Sequence, residues 1–245
     1  MNQSTLNPLG QPVGPVLDCW TVPPLPPRRS LAGRYCRVEP LDPACHAEDL
    51  YEATAADVEG RIWTYLSYGP FDSRADLQAW AQAAAAREDP LFFALVDEAD
   101  GRAAGIASYL RINPAVGSIE VGNICYPPRM QRTTAATEAM FLMMRNAFEL
   151  GYRRYEWKCD RLNAPSIAAA ERLGFTFEGV FRQATIFRGR NRDTAWFAII
   201  DRDWEEVRSC HERWLAPDNF DADGGQRESL SRLTAPLVRR RFASW

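Results

Sequence analysis

Two polar residues stand three positions apart at the start of a short helical segment, NAPSIAAAERLGFTFEG, which covers residues 163–179. Pro165 suits the first turn of a helix, and Gly174 suits the left-handed position that ends one. Asn163 and Ser166 therefore lie at the entrance of this helix. Either they cap it, which is a common use of both residue types, or their amide and hydroxyl groups hold a ligand.

A second candidate site is the strand–loop–helix junction ICYPPRMQRTTAATEAM, residues 124–140. A helix N-terminus presents unpaired N–H groups and about half a positive charge, which together suit a pyrophosphate. Thr133 and Thr134 could add hydroxyl donors at this point. Arg129 and Arg132 could neutralise phosphate charge. The alternative is a helix that is simply capped by threonine.

The elements that would position these residues follow from periodicity and helix caps. Thr134–Leu150 is the most regular helical segment, because its apolar residues recur on one face and Gly151 follows it. Ser73 and Asp76 form a capping box at the start of an earlier helix. The whole order is β-α-α-β-β-β-α-β-α-β-β-α, which predicts one mixed α/β (α+β) domain.

The domain is expected over residues 31–216. Residues 1–30 form a Pro-rich N-terminal arm, and its apolar side chains favour an arm packed on the domain over a free tail. These apolar residues are Val16, Leu17, Trp20, Val22 and Leu25. Residues 217–245 form a C-terminal extension for which the sequence predicts no definite structure.

The bulk composition excludes several classes of function. The chain has 245 residues, 46% of them apolar, and a net charge of −3, which gives no electrostatic reason to expect nucleic acid. Its six cysteines are scattered without a C-x-x-C pair, and only His46 and His211 are available as histidine ligands, so we expect neither a metal site nor disulfides. Both histidines are expected on helix surfaces. The sequence lacks an apolar run of ~18 residues and a secretory signal. We therefore expect a cytoplasmic monomer or homodimer without membrane or nucleic-acid partners.

The element order and the two motifs resemble the GNAT superfamily of acyl-CoA-dependent N-acetyltransferases, and most closely its ribosomal-protein-alanine acetyltransferase (RimJ/RimL) branch. The resemblance covers roughly residues 34–205, and the segment FTFEGVFRQATIFRGRNRDTAWFAIIDRDW, residues 175–204, looks like the end of that branch. It implies a mostly antiparallel sheet with flanking helices. It also implies acetyl-CoA as co-substrate, no metal, and direct attack by a primary amine of a protein N-terminus or a small molecule.

The resemblance assigns the cofactor residues. The family's central helix begins with Q/R-x-x-G-x-G/A; Gln131 and Ala136 match this pattern, whereas Thr134 replaces a glycine and limits the approach of a phosphate. The implied cofactor residues of this junction are Ile124, Cys125, Tyr126, Gln131, Arg132, Thr133, Thr134, Ala135 and Ala136. The backbone of Ile124–Tyr126 would polarise the thioester, and we expect the Cys125 side chain to be a small buried group.

The resemblance also assigns Asn163 to the pantetheine arm and Ser166 to the acid that protonates the leaving thiolate. Many other members use a tyrosine as this acid, and Ala170 stands at that position here. Because both Thr134 and Ala170 depart from common family patterns, an alternative function is an acyl-CoA-binding module with little or no turnover.

Amine acylation further needs a base and an acceptor pocket. Glu120 interrupts an apolar strand, where burial could raise its pKa; the alternative is a structural glutamate paired with an arginine. Asp193 is the second candidate for the base, or for a carboxylate that binds the amine. The loop RIWTYLSYGPF, residues 61–71, is expected to contribute both packing and pocket wall through its aromatic side chains, Trp63, Tyr65 and Tyr68.

Overall fold

The computed structural model describes residues 5–239 and 241–242. Its strands are β1 (Thr5–Leu6), β2 (Pro12–Val13), β3 (Leu31–Ala32), β4 (Cys36–Pro40), β5 (Leu91–Asp97), β6 (Arg102–Asn113), β7 (Ser118–Cys125), β8 (Arg154–Asp160), β9 (Thr176–Phe187) and β10 (Arg190–Ile200). Its α-helices are α1 (Pro43–Ala55), α2 (Arg74–Ala85), α3 (Thr134–Glu149), α4 (Ala164–Arg172), α5 (Asp201–Leu215) and α6 (Leu230–Thr234). None of these described helices is long and apolar enough to cross a membrane.

Eight strands form one sheet in the order β3-β4-β5-β6-β7-β8-β10-β9, and β1 and β2 form a separate hairpin. The pair β7 and β8 is parallel, with α3 as its crossover, whereas the other neighbours in the sheet are antiparallel. The predicted order of elements from β4 to α5 is confirmed, as is the mostly antiparallel sheet with flanking helices. The sequence analysis missed β1, β2, β3 and α6, which are all five residues or shorter.

Alternation along the strands produces two hydrophobic cores on opposite faces of the sheet. On β5, Phe93 enters the core under α3, α4 and α5, while its neighbour Phe92 enters the core under α1 and α2. Helix α3 begins at the predicted residue because Thr133 Oγ1 accepts a hydrogen bond from Ala136 N–H at 3.0 Å. Gly151 follows its end with a φ of 97°, a conformation that glycine adopts without strain.

The parallel strands diverge halfway along their length. β7 and β8 pair over Ser118–Val121 and Arg154–Trp157, and the register does not continue beyond these residues. In the half of β7 that does not pair with β8, Asn123 has a φ of 52° at an irregularity in the pairing with β6. A gap therefore opens in the sheet between the C-terminal ends of β7 and β8.

The N-terminal arm contacts the domain through its prolines rather than through most of its apolar side chains. Pro23 and Pro26 are buried, and the Tyr152 hydroxyl donates a hydrogen bond to Pro24 O at 3.0 Å. Four of the apolar residues expected to pack are exposed, namely Val16, Leu17, Val22 and Leu25, whereas Trp20 is half-buried. Residues 1–4 of the predicted arm lie outside the described residues.

The C-terminal extension is ordered over most of its length and packs against α4 and α5. Leu230 and Thr234 of α6 are buried, and Thr234 Oγ1 donates a hydrogen bond to Arg172 O at 3.1 Å. The indole Nε1 of Trp214 in α5 donates to Gln226 Oε1 at 2.7 Å, which fixes the loop between α5 and α6 to α5. Residues 240 and 243–245 lie outside the described part.

The prediction that both histidines lie on helix surfaces is wrong. His211 is fully buried, stacks on Phe141 with ring centroids 5.3 Å apart, and has Nε2 3.0 Å from Leu173 O. Burial lowers the pKa of His211 to about 4. His46 is also buried, with Nε2 3.0 Å from a carboxylate oxygen of Glu39. Helix periodicity alone missed that His211 packs between α5, α3 and the end of α4, and that His46 faces β4.

Candidate functional site

A cleft of about 1460 Å³ occupies the gap between β7 and β8. We call its two regions the helix end and the loop end. The helix end lies at the N-termini of α3 and α4 and extends along α4. The loop end lies between residues 61–71 and the hairpin formed by β9 and β10.

At the helix end, the start of α3 remains open to a ligand. Thr133 Oγ1 takes the N–H of Ala136, but within the described chain the N–H groups of Thr134 and Ala135 have no hydrogen-bond partner. Two free donors at a helix N-terminus favour an anion. The predicted residues that line this region are Gln131, Arg132, Thr133, Thr134 and Ala136.

Two residues of the same predicted set have their side chains in the cores instead. Cys125 is 1% exposed and Ala135 is 5% exposed, and neither lines the cleft, whereas Ile124 and Tyr126 do. The burial of the Cys125 side chain is as expected, and only the backbone of Cys125 and Ala135 is available for a cofactor. Burial also raises the pKa of the Cys125 thiol, as expected for an inert buried cysteine.

Asn163 and Ser166 have separate roles at the start of α4. Asn163 Oδ1 accepts the N–H of Ser166 at 3.2 Å and so caps the helix, while its Nδ2 group has no partner among the described residues. The Ser166 hydroxyl does not cap. Its Oγ accepts a hydrogen bond from Trp157 Nε1 at 3.0 Å, and both Asn163 and Ser166 line the cleft. Because an indole N–H can only donate, the hydroxyl proton of Ser166 is left to donate to another group, and the Cys159 thiol lies close enough to interact with it.

Arg172, which the sequence analysis did not single out, lines the helix end of the cleft. It is half-buried, it donates a hydrogen bond to Thr137 Oγ1 at 3.0 Å, and no described carboxylate lies within ion-pair distance of it. Burial lowers the pKa of its guanidinium. Gln226 and Ser229 of the C-terminal extension line the cleft as well. A half-buried cation near a helix N-terminus suits a phosphate group.

Glu120 lies at the loop end with its side chain only 3% exposed. Its Oε1 is 2.7 Å from Arg111 Nη1, and its Oε2 is 2.9 Å from Lys158 Nζ. Burial raises the pKa of the Glu120 carboxyl, and the two cations oppose that change. Both predicted alternatives thus meet in one residue, since Glu120 is a cleft carboxylate with a raised pKa and also an ion-paired glutamate.

Lys158 is the partner that the sequence analysis undervalued, although a signal was present, because it is the only lysine of the chain. Its Nζ lies 2.7 Å from Glu156 Oε2 and 3.7 Å from the centre of the Trp196 ring. A lone lysine that alternates with Tyr155, Trp157 and Cys159 along β8 indicates a cation that has specific carboxylate and aromatic partners.

The aromatic residues of the loop at positions 61–71 divide between cleft and core. Tyr65 and Tyr68 line the cleft; the Tyr65 hydroxyl donates to Leu162 O at 3.2 Å, and the Tyr68 hydroxyl donates to Asn123 O at 2.7 Å. Trp63 is 4% exposed, packs edge-on against Tyr68, and does not line the cleft. Its expected part in the pocket wall is therefore wrong, and it supports the wall from behind.

Asp193 does not line the cleft. Its carboxylate accepts a backbone N–H from Gln183 at 2.8 Å and a side-chain N–H from Asn191 at 3.0 Å, and Arg161 lies 3.8 Å away. The bond from Gln183 N–H lowers the pKa of Asp193. Asp193 thus braces the irregular pairing of β9 and β10, which does not fit the predicted roles as a base or an amine-binding group.

Comparisons with known proteins agree with this geometry. The family model described as "Acetyltransferase (GNAT) domain" matches residues 37–176. No curated protein sequence matches the chain. Among solved structures, a GCN5-related N-acetyltransferase from Brucella melitensis has 45% identity and a TM-score of 0.87, with 89% of this chain and 100% of that chain covered.

Two further structures are similar to this chain. A probable acetyltransferase of the GNAT family from Chromobacterium violaceum has 38% identity and a TM-score of 0.74, with 80% of this chain and 98% of that chain covered. RimL, a ribosomal L7/L12 alpha-N-protein acetyltransferase, has 20% identity and a TM-score of 0.60, with 70% of this chain and 93% of that chain covered. At that identity, RimL shares the fold.

Proposed function

The chain belongs to the GNAT acetyltransferases, and on this basis we propose that the cleft binds acetyl-CoA and a primary amine together for direct acetyl transfer. Transfer of an acyl group from acetyl-CoA to an amine is the general reaction of the family. The acceptor is a primary amine of a protein N-terminus or of a small molecule. One observation carries the proposal, namely that the gap between β7 and β8 joins an open helix N-terminus to an aromatic pocket.

The helix end would hold the phosphates and the pantetheine arm of acetyl-CoA. The free N–H groups of Thr134 and Ala135 would donate to the pyrophosphate, and the cation of Arg172 would supply positive charge near them. Asn163 keeps its Nδ2 group free to donate to an amide oxygen of pantetheine. Thr134 replaces the family's glycine, but its own N–H and that of Ala135 remain without a partner among the described residues, so the replacement leaves both donors available to a phosphate.

Ser166 would act as the acid that protonates the departing thiolate. Its hydroxyl accepts from Trp157 Nε1, so its own proton is available to a sulfur atom in the cleft. Trp157 is then a positioning residue, because it directs the hydroxyl without touching the reacting atoms. The small side chain of Ala170 offers no acid of its own, which leaves this task to Ser166 or to water.

Glu120 would act as the base that accepts a proton from the acceptor ammonium, directly or through water. Its place in the cleft and its raised pKa support this role, since a base works best when its pKa lies near the working pH. Its ion pairs with Arg111 and Lys158 support the structural alternative. The pH–rate experiment in the Discussion separates the two roles.

Thermal unfolding with and without acetyl-CoA tests the proposed function. A ligand that binds only the folded state at 100 times its Kd stabilises it by about 2.7 kcal/mol, which corresponds to a rise in Tm of roughly 5–10 °C for a chain of this size. Pantetheine, which lacks the phosphates, should raise the Tm much less. Arg172→Gln should reduce the shift caused by acetyl-CoA, whereas Arg190→Gln, at an exposed arginine outside the cleft, should keep it. No shift at millimolar acetyl-CoA would contradict the proposal.

A further inference from the structure

Arg192 of β10 lines the loop end of the cleft, and its charge has no protein partner. Its Nε is buried without a hydrogen bond, and no carboxylate among the described residues lies within ion-pair distance of it. The nearest charge-compensating contact is weak, since its Cζ lies 6.0 Å from the centre of the Phe187 ring. Leaving a buried N–H of a charged group unsatisfied is costly, so this arrangement indicates a missing anionic partner.

Most of the other charges near the loop end are paired, while Arg188 donates to two backbone carbonyls and Arg87 is exposed. A connected network of ion pairs contains three carboxylates and three cations, namely Glu120, Glu156, Glu178, Arg111, Arg154 and Lys158. Its charges sum to zero. Two nearby aspartates are also engaged, because Asp193 braces β9 and β10 and Asp160 Oδ1 accepts the N–H of Leu162 at 2.9 Å. Among the cations at the loop end, Arg192 is thus the one whose buried N–H has no partner among the described residues.

We propose that Arg192 binds a carboxylate of the acceptor, so that the acceptor is a small primary amine that also carries a carboxylate group. This inference rests on the proposed acetyl transfer and narrows its substrate class. The Nε and the adjacent Nη of a guanidinium form a planar fork that matches the two oxygens of a carboxylate. Neither Nε nor the Nη groups of Arg192 donate a hydrogen bond to a described residue, so the protein itself does not occupy this fork.

The shape of the loop end favours a small molecule over the N-terminus of a folded protein. The loop over residues 61–71 is tied down on both sides. Tyr65 donates a hydrogen bond to Leu162 O at 3.2 Å, beyond the end of β8. Arg188 donates to Leu66 O at 3.1 Å and to Gly69 O at 3.0 Å, which joins the loop to the β9–β10 hairpin. These ties restrict the space over the pocket.

The test compares amines in matched pairs that differ only in charge, each pair an amino acid and its carboxamide. The pairs separate the amine and the carboxyl carbon by one to five carbon atoms. Release of CoA from acetyl-CoA is measured for the wild type, Arg192→Gln, Arg192→Lys and the control Arg190→Gln. Titration of the CoA-loaded protein with the same pairs measures binding without turnover. Peptides that carry an acidic side chain distinguish a peptide carboxylate from that of a free amino acid.

For at least one separation between amine and carboxyl carbon, we expect the amino acid to exceed its carboxamide by about 10- to 100-fold in kcat/KM or in affinity. This is the range for a charged hydrogen-bonded pair. Arg192→Gln should reduce this ratio to near one, Arg192→Lys should keep part of it, and Arg190→Gln should keep it all. The inference is overturned if no carboxylate is preferred, if the preference survives Arg192→Gln, or if only the acidic peptides show it. If one of these results appears while the wild type still binds acetyl-CoA and acetylates neutral amines, the proposed function stands and only the carboxylate inference fails. If the wild type does not bind acetyl-CoA at all, both the proposed function and the inference fail.

Discussion

The indole Nε1 of Trp157 donates a hydrogen bond to Ser166 Oγ across a distance of 3.0 Å, from the end of the paired part of β8 to the first turn of α4. The contact joins the strand that opens the cleft to the helix that borders it. Because the tryptophan can only donate, it fixes which lone pair of the serine is used and leaves the hydroxyl proton free. Trp157 and Ser166 together therefore determine where the hydroxyl proton points.

Replacement of Ser166 by alanine tests the role of the hydroxyl. We expect kcat to fall by on the order of 10²-fold, which is typical when one donor to a developing charge is removed. The Kd for acetyl-CoA should stay nearly unchanged, because the helix cap is made by Asn163 and not by the serine side chain. Steady-state kinetics and a binding titration measure the two quantities. A variant with wild-type kcat would rule out Ser166 as the acid.

Replacement of Trp157 by phenylalanine tests the positioning of the same hydroxyl. The ring keeps much of its packing against Phe175, whose centroid lies 5.7 Å away, but the N–H donor is lost. We expect kcat to fall by about 3- to 10-fold, consistent with the loss of roughly one ordinary hydrogen bond, while the KM for acetyl-CoA changes little. In the Ser166→Ala background, the same substitution should have almost no further effect on kcat. Additive losses in the double variant would instead assign Trp157 a purely structural role.

The fold was predictable from local signals because its strands and helices agree with their own periodicity. Ser73 caps α2 as predicted, with its Oγ accepting the N–H of Asp76 at 3.2 Å, and α3 begins at Thr134. These features depend on residues close in sequence. His211 was misplaced because its burial depends on Phe141, which is 70 positions away and packs on it through the tertiary structure.

The candidate site was predictable where a motif lies on one element, and not where charges meet across elements. Asn163 and Ser166 share a helix start, and both line the cleft. Arg192 and Lys158 carry no motif, and their meaning depends on which carboxylates approach them in the folded chain. Asp193 was misjudged for the same reason, since Gln183 and Asn191 donate to its Oδ1 only once β9 and β10 pair.

Replacement of His211 by glutamine should reduce the sensitivity of the fold to acid. The pKa of His211 is about 4 in the folded chain, against about 6.5 for an unfolded histidine. Between these values the unfolded state binds more protons, so stability falls as the pH drops from 6.5 to 4, by about 3 kcal/mol in total. Urea unfolding across this window should show a shallower fall for the variant. Equal slopes in both proteins would contradict the neutral buried form of His211.

Replacement of Gly69 by alanine should disturb the loop over residues 61–71, which forms one wall of the loop end of the cleft. An added Cβ would lie 2.4 Å from the Trp63 ring, and the residue has a φ of 64°, so both crowding and backbone strain oppose alanine. We expect a loss of about 2–4 kcal/mol in unfolding free energy and a higher KM for the amine. Gly101→Ala is the matched control, because its φ is 72° but nothing lies within 4 Å of the new Cβ. Equal effects in both variants would show that strain alone acts.

Glu120 is either the base or a structural ion-pair partner, because it is a buried carboxylate that lines the cleft and also pairs with two cations. Glu120→Gln keeps the shape and removes the base. If Glu120 is the base, the wild-type rate rises with pH through its raised pKa, and the variant loses most of its kcat together with this acidic limb.

If Glu120 only holds Arg111 and Lys158, the substitution costs stability, about 1–3 kcal/mol for a weakened charged bond, and the pH–rate profile keeps its shape. Glu156→Gln is the matched control, because Glu156 also pairs with Lys158, at 2.7 Å, but does not line the cleft. It should lower the Tm and leave the profile unchanged. An acidic limb that persists in Glu120→Gln would assign proton removal to water and leave Glu120 as the anchor of the two cations.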